Sequence, residues 1–323
     1  MDNLDPIMME EDDDVRLSFF GDGAAFLGII ALNLILTVVT LGLYYPWAKV
    51  AYRKYLWNET EFKGSRFVFN GNGKEIFRGF VIAYVILIGF WMSLNFASQS
   101  TYGFYFLILF YLLLLVLMPF AIFGAWKYRV SRTSWRGIHF SFDGEFKEFL
   151  SLFIGQLLLT IVTFGIYGAW MRVKIQQYLF SHTMIGDLRF NFRVDGGELF
   201  GINLLGAILT PFTLYLYIPY FIKNRFNFTI NNTTLSDGER EIRLYSDLQG
   251  NTAFGVIVTN FLLTAFTFGI GYPWAFMRAM RMYFDHIELP EEFDYDALKQ
   301  TEQDYRDATG DGFSDILDVG FDF

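Results

Sequence analysis

Three polar triplets sit inside otherwise apolar stretches: Asn33, Thr37 and Thr40; Gln156, Thr160 and Thr163; Asn260, Thr264 and Thr267. In each, an amide is followed at i+4 and i+7 by hydroxyls, a spacing that places all three on one face of a helix. A fourth stretch keeps Thr210 and Thr213, with its amide, Asn203, one turn higher. An amide or hydroxyl in an apolar medium is costly without a partner, so these stripes should face protein or a wet cavity. Two chemistries fit. The nine residues could line and bind a small solute or ion along a shared pathway. They could equally be glue, with amides and hydroxyls bonding across helix interfaces or back onto their own helix.

Catalytic chemistry is poorly represented. Cysteine is absent, which excludes thiolate catalysis, disulfides and Cys-based metal sites. The three histidines, His139, His182 and His286, have no metal-motif spacing. No Gly-rich phosphate loop, nucleophile elbow or HExxH stretch occurs. Acids between the tails, such as Asp22, Glu75, Asp143, Glu145, Asp195, Glu198 and Asp247, are scattered over predicted turns. The chain is therefore expected not to be an enzyme, with no cofactor, no metal and no nucleic-acid partner. One tail segment, Asp307, Thr309, Asp311, Gly312, Asp315 and Asp318, matches a calcium-loop register, in an Asp-rich stretch where chance produces such matches.

The elements that must hold the stripes recur along the chain. LTVVTLGLYYPW ends at Trp47, LTIVTFGIYGAW at Trp170, LTPFTLYLYIPY at Tyr220 and LTAFTFGIGYPW at Trp274, with a more worn copy ending at Trp126. Each follows an apolar run and leads into Lys or Arg, the order in which a chain leaves a bilayer. Before each run stands a short alternating stretch closed by Gly or a turn, such as GSRFVFNG at 64–71, which reads as a strand. Self-similarity of this kind points to repeat construction, here in modules at about 15–62, 63–135, 136–184, 185–235 and 236–287.

Composition agrees with a membrane setting: 53% hydrophobic, 20% aromatic and a mean hydropathy of +0.31. The net charge of −9 hides a division. Residues 1–14 carry seven acids and no base, 288–323 carry twelve acids and two bases, and 15–287 has an excess of bases. Two acidic tails thus flank a basic membrane domain, and the acidic start is unlike the positive n-region of a signal peptide. If every run crossed once, successive cation clusters would alternate sides, which the positive-inside tendency disfavours. Helical hairpins turning near Leu41–Gly42 and their equivalents would keep all cations and strands on the cytoplasmic face. Hairpins and plain alternating spans both remain open at this point.

The pattern F-x-G-x-G…N-x-x-x-T-x-x-T-x-G-x-Y-x-P-W-A-x-x-R, then N-x-T…G-x-R-F-x-F-x-G, resembles the YjgN-like bacterial inner-membrane proteins, a family named as a domain of unknown function. Phe20, Gly21, Gly23, Asn33, Thr37, Thr40, Gly42, Tyr44, Pro46, Trp47, Ala48, Asn58, Thr60, Gly64, Arg66, Phe67, Phe69 and Gly71 carry it, and the likeness extends over about 15–285. It departs at Pro119, read as standing in for the second Thr, and at Tyr215 and Tyr220. The resemblance implies a multi-pass inner-membrane protein and no particular activity. The expected fold is an all-α polytopic membrane protein of about five pseudo-repeats, helical hairpins or broken helices, with short cytoplasmic β-strands between modules. The expected role is transport of a small solute, ion or lipid-like molecule. The competing role is a non-catalytic scaffold recruiting partners through its strands and acidic tails. Expected partners are membrane lipids, with a second copy or another protein at the cytoplasmic face.

Overall fold

A computed structural model describes residues 16–99, 102–289 and 298. The N-terminal tail, nearly all of the C-terminal tail and the calcium-like register at 307–318 lie outside the described residues.

Chain order alternates a pair of helices with a pair of strands: β1 (Leu17–Phe19), α1 (Gly23–Val39), α2 (Tyr45–Asn58), β2 (Thr60–Phe62), β3 (Ser65–Phe69), α3 (Gly73–Gln99), α4 (Gly103–Ser131), β4 (Thr133–Trp135) and β5 (Ile138–Phe142). It continues with α5 (Phe146–Val162), α6 (Gly168–Ser181), β6 (Thr183–Ile185), β7 (Leu188–Phe192), α7 (Gly196–Phe212), α8 (Ile218–Asn231), β8 (Thr233–Ser236), β9 (Glu241–Arg243), β10 (Tyr245–Ser246), α9 (Gly250–Phe266), α10 (Tyr272–Phe284) and β11 (Ile287–Glu288).

The strands are more than decoration, and this overturns the all-α expectation. β1 to β9 form one antiparallel sheet in sequential order, and β10 pairs with β11. Pairs such as β2–β3 and β4–β5 close through tight turns at Lys63-Gly64 and Arg136-Gly137, where both residues take positive φ. The outer edge of each such pair then bonds the next pair across a helical hairpin, as β3 does with β4 and β5 with β6. An unpaired strand edge seeks a partner. The sheet curls until a bridge between Arg16 and Glu288 brings β11 beside the start of β1. The helices follow the same circuit, with α10 packing against α1.

The interior of this collar is apolar. Phe62, Trp135, Ile185, Leu188, Leu235, Ile242, Leu244 and Ile287, contributed by strand pairs all round the sheet, form one buried cluster. Phe67, Phe140 and Phe190 pack against it. Two residues on, Phe69, Phe142 and Phe192 join separate clusters between the helices of neighbouring hairpins. The F-x-F phrase therefore ties collar to helices.

The polytopic expectation also needs correction. Among the described residues only α3 and α4 are long and apolar enough to cross a membrane. The other four hairpins have first arms of 17 residues and second arms of 13 or 14. A 14-residue helix is about 21 Å long, short of a hydrocarbon core of about 30 Å.

Candidate functional site

The four short hairpins turn with one backbone geometry. Thr40, Thr163, Thr213 and Thr267 cap the first arms, and each hydroxyl donates to the carbonyl four residues back: Leu36, Leu159, Leu209 and Leu263, at 2.6–2.8 Å. The same oxygens accept from the backbone N–H of Tyr44, Tyr167, Tyr217 and Gly271 at 2.7–3.0 Å, where the second arm begins. Backbone bonds from Gly42 to Thr37, Gly165 to Thr160, Tyr215 to Thr210 and Gly269 to Thr264 complete a Schellman-type ending.

The residue after each cap, Leu41, Phe164, Leu214 or Phe268, sits at φ between 49° and 53°. Glycine is the usual occupant of that conformation, and a bulky side chain there costs roughly 1–2 kcal/mol. All four nevertheless carry large apolar side chains, with exposures from 81% at Leu41 to 97% at Phe164 and Phe268. Backbone strain of this kind persists only where the surrounding structure over-determines it.

The remaining stripe residues are bonded close to home. Asn33 is buried, and its amide donates to the Ile29 carbonyl at 2.7 Å. Thr37 donates to the Asn33 carbonyl at 2.6 Å, Thr160 to that of Gln156 at 2.8 Å, and Thr264 to that of Asn260 at 2.8 Å. Asn260 reaches the second arm of its own hairpin, donating to the Ala275 carbonyl at 2.7 Å. Gln156 faces a shallow groove along α5 with Lys147, Ser151 and Gly155. Its Oε1 and the Oδ1 of Asn260 are buried without a hydrogen-bond partner. The structure thus joins each triplet within its own hairpin. The opposite face of α1 is exposed and wholly apolar, including Ala24, Gly28, Ala31, Leu32, Ile35 and Val38.

Junctions between hairpins place a large ring on a small residue. A Cβ on Gly73 would lie 2.6 Å from Trp47, on Gly196 2.5 Å from Trp170, on Gly250 2.7 Å from Tyr220 and on Gly23 2.5 Å from Trp274. These aromatics lie thirteen residues before Thr60, Thr183, Thr233 and Ile287, the residues paired with the strand preceding each hairpin. By that register the second hairpin's equivalent is Phe120, not Trp126, and Pro119 matches Pro46 rather than the second Thr. There the glycine is replaced as well, and the Phe120 ring packs tilted against Phe146 with centroids 4.4 Å apart. Trp126 instead donates to Thr183 Oγ1 at 3.0 Å.

The collar end carries a polar clamp that sequence reasoning missed. Tyr55 and Tyr178, each five residues before a strand threonine, donate to the carbonyls of Asp22 and Glu145 at 2.9 and 2.8 Å and accept from the same residues' N–H groups. Burial raises the pKa of both phenols, which stay protonated donors. Their constant spacing before Thr60 and Thr183 was the available signal. Across junctions, Gln177 donates to Val194, Asn227 to Leu248 and Arg281 to Gly21 backbone oxygens at 2.9–3.3 Å. Where the circuit closes, Arg16 pairs with Glu288 and the Phe19 N–H donates to Asp285 Oδ1 at 3.1 Å. Burial raises the Asp285 pKa, opposed by that N–H and by Arg281 and His286.

His182 and His286 use Nδ1 on the carbonyls of Tyr178 and Met282, at helix ends. Among the described residues no three His, Cys, Asp or Glu come together as metal ligands would.

Comparison with known proteins gives a consistent picture. The profile of the family described as "Bacterial protein of unknown function (DUF898)" matches residues 14–156, 140–201 and 203–316. The inner membrane protein YjgN of Salmonella typhimurium is 27% identical over 128 residues, 40% of this chain and 31% of the relative. Its namesake in Escherichia coli K12 is 37% identical over 59 residues, 18% of this chain and 15% of the relative. The chain thus spans less than a third of the curated relatives it matches. No solved structure matches it.

Proposed function

Since the chain belongs to the DUF898 family of bacterial proteins of unknown function, whose curated relatives are inner-membrane proteins, we propose that it is a non-catalytic scaffold seated in the bacterial inner membrane. In this reading the collar lies at the cytoplasmic surface and holds five hairpins at fixed spacing in the lipid. The acidic tails recruit partners there. The observation that carries the reading is the filled collar. Phe62, Trp135, Ile185, Leu235 and their neighbours occupy the centre through which a shared pathway would have to pass. The stripes supply the same message, because their hydroxyls satisfy their own helix turns. Three successive matches to one family profile, together with the recurring tip, are what duplication of an ancestral hairpin unit would produce.

A second reading is transport along a route between hairpins rather than through the collar. It is favoured by the unpartnered buried oxygens of Gln156 and Asn260, which a passing solute or ion could engage. Reconstitution of the full chain in liposomes separates the two. The scaffold reading expects no ion or small-solute flux above that of empty liposomes. It also expects Asn33→Leu, Gln156→Leu and Asn260→Leu to alter stability alone, while removal of 288–323 lowers recovery of partners from native membranes. Flux through the wild-type chain that these substitutions abolish would overturn it.

A further inference from the structure

We propose that the four short hairpins end inside the hydrocarbon of the leaflet next to the collar, burying Leu41, Phe164, Leu214 and Phe268 in lipid, while α3–α4 alone crosses to the far side. The inference rests on the membrane seating proposed above and is independent of whether the protein scaffolds or transports.

The first support is where charge stops. No Asp, Glu, Lys or Arg occurs between Asp22 and Lys49, Glu148 and Arg172, Glu198 and Lys223, or Asp247 and Arg278. Within each window the tip lies eight to ten residues before the first cation, about 12–15 Å at 1.5 Å per residue. Half of a hydrocarbon core of about 30 Å is about 15 Å. A tip near the midplane therefore puts Lys49, Arg172, Lys223 and Arg278 at the headgroup boundary. It also puts Trp47, Trp170, Tyr220 and Trp274 just below that boundary, where amphipathic rings concentrate. A tip reaching the far side would drag every one of those cations to mid-bilayer, where charge is heavily penalised.

The second support is the chemistry of the tips. A hairpin turn meeting water would be built from Gly, Asn or Asp, which tolerate positive φ and bond solvent. Here the strained position holds Leu or Phe four times, flanked by further exposed apolar residues such as Val39, Val162, Phe212 and Phe266. The backbone polar groups of each turn are paired internally through the capping threonine, which is the condition for irregular backbone to sit in lipid.

The second hairpin supplies the contrast. It is charge-free from Arg78 to Lys127, and its arms of 27 and 29 residues are about 40 Å or more in length. The sequence at the far end of this pair, Ser98-Gln99-Ser100-Thr101, is polar, as suits a stretch at the far headgroups. With one pair crossing twice, the collar and the strands on both sides of it stay on one face.

The cysteine-free sequence makes the test direct. Single cysteines are placed at Phe164, Phe268, Tyr102 and, on the collar, Arg240, in the full chain in sealed right-side-out and inverted bacterial membrane vesicles. A membrane-impermeant maleimide should label Arg240→Cys only from the collar side and Tyr102→Cys only from the opposite side. Phe164→Cys and Phe268→Cys should label from neither side until detergent is added. A bimane attached at position 164 before reconstitution should be quenched most by lipids brominated near the chain ends. Ile166→Cys, whose φ is unstrained and whose side chain is 61% exposed, repeats the measurement if a tip variant misfolds. Labelling of the tips from the far side, or from the collar side as readily as Arg240→Cys, overturns the proposal. So does labelling of Tyr102→Cys from the collar side. Release of the whole chain from membranes without detergent would instead defeat the membrane seating itself.

Discussion

Gly23→Ala probes the closure of the ring. The added Cβ would stand 2.5 Å from Cδ1, 2.6 Å from Cγ and 2.9 Å from Cα of Trp274. The first two contacts could be relieved by rotating the indole; the third is backbone and requires α1 and α10 to separate. Overpacking of this kind costs about 1–3 kcal/mol. Gly28, one turn further along α1, has nothing within 4 Å of its would-be Cβ. Gly28→Ala should therefore stabilise by about 0.5–1 kcal/mol through helix propensity, opposite in sign within one helix. Equilibrium unfolding in a fixed mild detergent, followed by tryptophan fluorescence, measures both. A double-mutant cycle then isolates the cause. In a Trp274→Ala background the clash has no partner, so Gly23→Ala should become neutral within about 0.5 kcal/mol. An unchanged cost in that background, or a stabilising Gly23→Ala, would refute the account of the junction.

Other outcomes follow from the same contacts. Thr163→Val removes a hydroxyl that both donates to Leu159 and accepts from Tyr167, and should cost about 1–2 kcal/mol in the same unfolding assay, with Thr163→Ser near wild type. Asp285 has a folded pKa raised above its ordinary value of about 3.9, so the folded state holds the proton more tightly than the unfolded chain. Its contribution to stability is greatest below that ordinary value and is lost as pH rises through the raised one. Asp285→Asn, which keeps an acceptor for the Phe19 N–H, should flatten this part of the stability–pH profile and leave the protein no less stable at pH 7. Glu75→Ala strips the bidentate partner from buried Arg132, whose Nη2 lies 2.9 Å from Glu75 Oε1. Because Glu75 is partly solvated, the loss should be about 2 kcal/mol rather than the roughly 3–5 kcal/mol of a fully buried pair, read from chemical unfolding.

Local features were legible because local sequence determines them. T-x-G after an apolar run marked three of the four short-hairpin tips, and an alternating stretch ending in Gly marked the strand before each hairpin, whereas β2, β4, β6 and β8 carried no mark beyond a recurrent threonine. The threonine stripes were correctly placed on a helix, but periodicity says that residues share a face and not which neighbour that face meets. Asn260 turns out to bond the second arm of its own hairpin. The Trp126 alignment failed because a tryptophan was matched by type. Packing register depends on distance from the strand, and by that measure Phe120 is the equivalent. The replacement of Trp-on-Gly by Phe120 on Phe146 keeps the junction filled while hiding it from a motif search. The closing of the circuit was illegible for another reason: its last contact joins residues 272 apart, and nothing near either end announces it.

That last contact differs from the others in kind. Every other junction of the ring joins elements that a short, fixed connection keeps near one another, so pairing pays little loop-closure entropy. The seam between α10 and α1 brings together the two ends of the described chain, and its closure cost grows with the logarithm of the whole circuit. Its chemistry reflects the difference. Gln177 and Asn227 hold two junctions through neutral amides, the same register in the first two hairpins carries Lys54 and Lys127, and at the seam it is Arg281, bonded to both Phe19 and Gly21 carbonyls. Arg16 adds Glu288 and Asp247, and Phe26 stacks on Phe276 at 5.4 Å. Charge-assisted bonds are stronger than neutral ones; they also occur in the tethered part of the ring, as Arg132 with Glu75 and Arg189 with Asp143, but at the seam no short connection supplements them. If the seam depends on them, Arg281→Gln should loosen it selectively. Hydrogen exchange should then quicken at β1 and β11 while β4 to β7 keep wild-type protection. Equal acceleration round the whole collar would show that the ring opens as one unit and that the seam carries no special load.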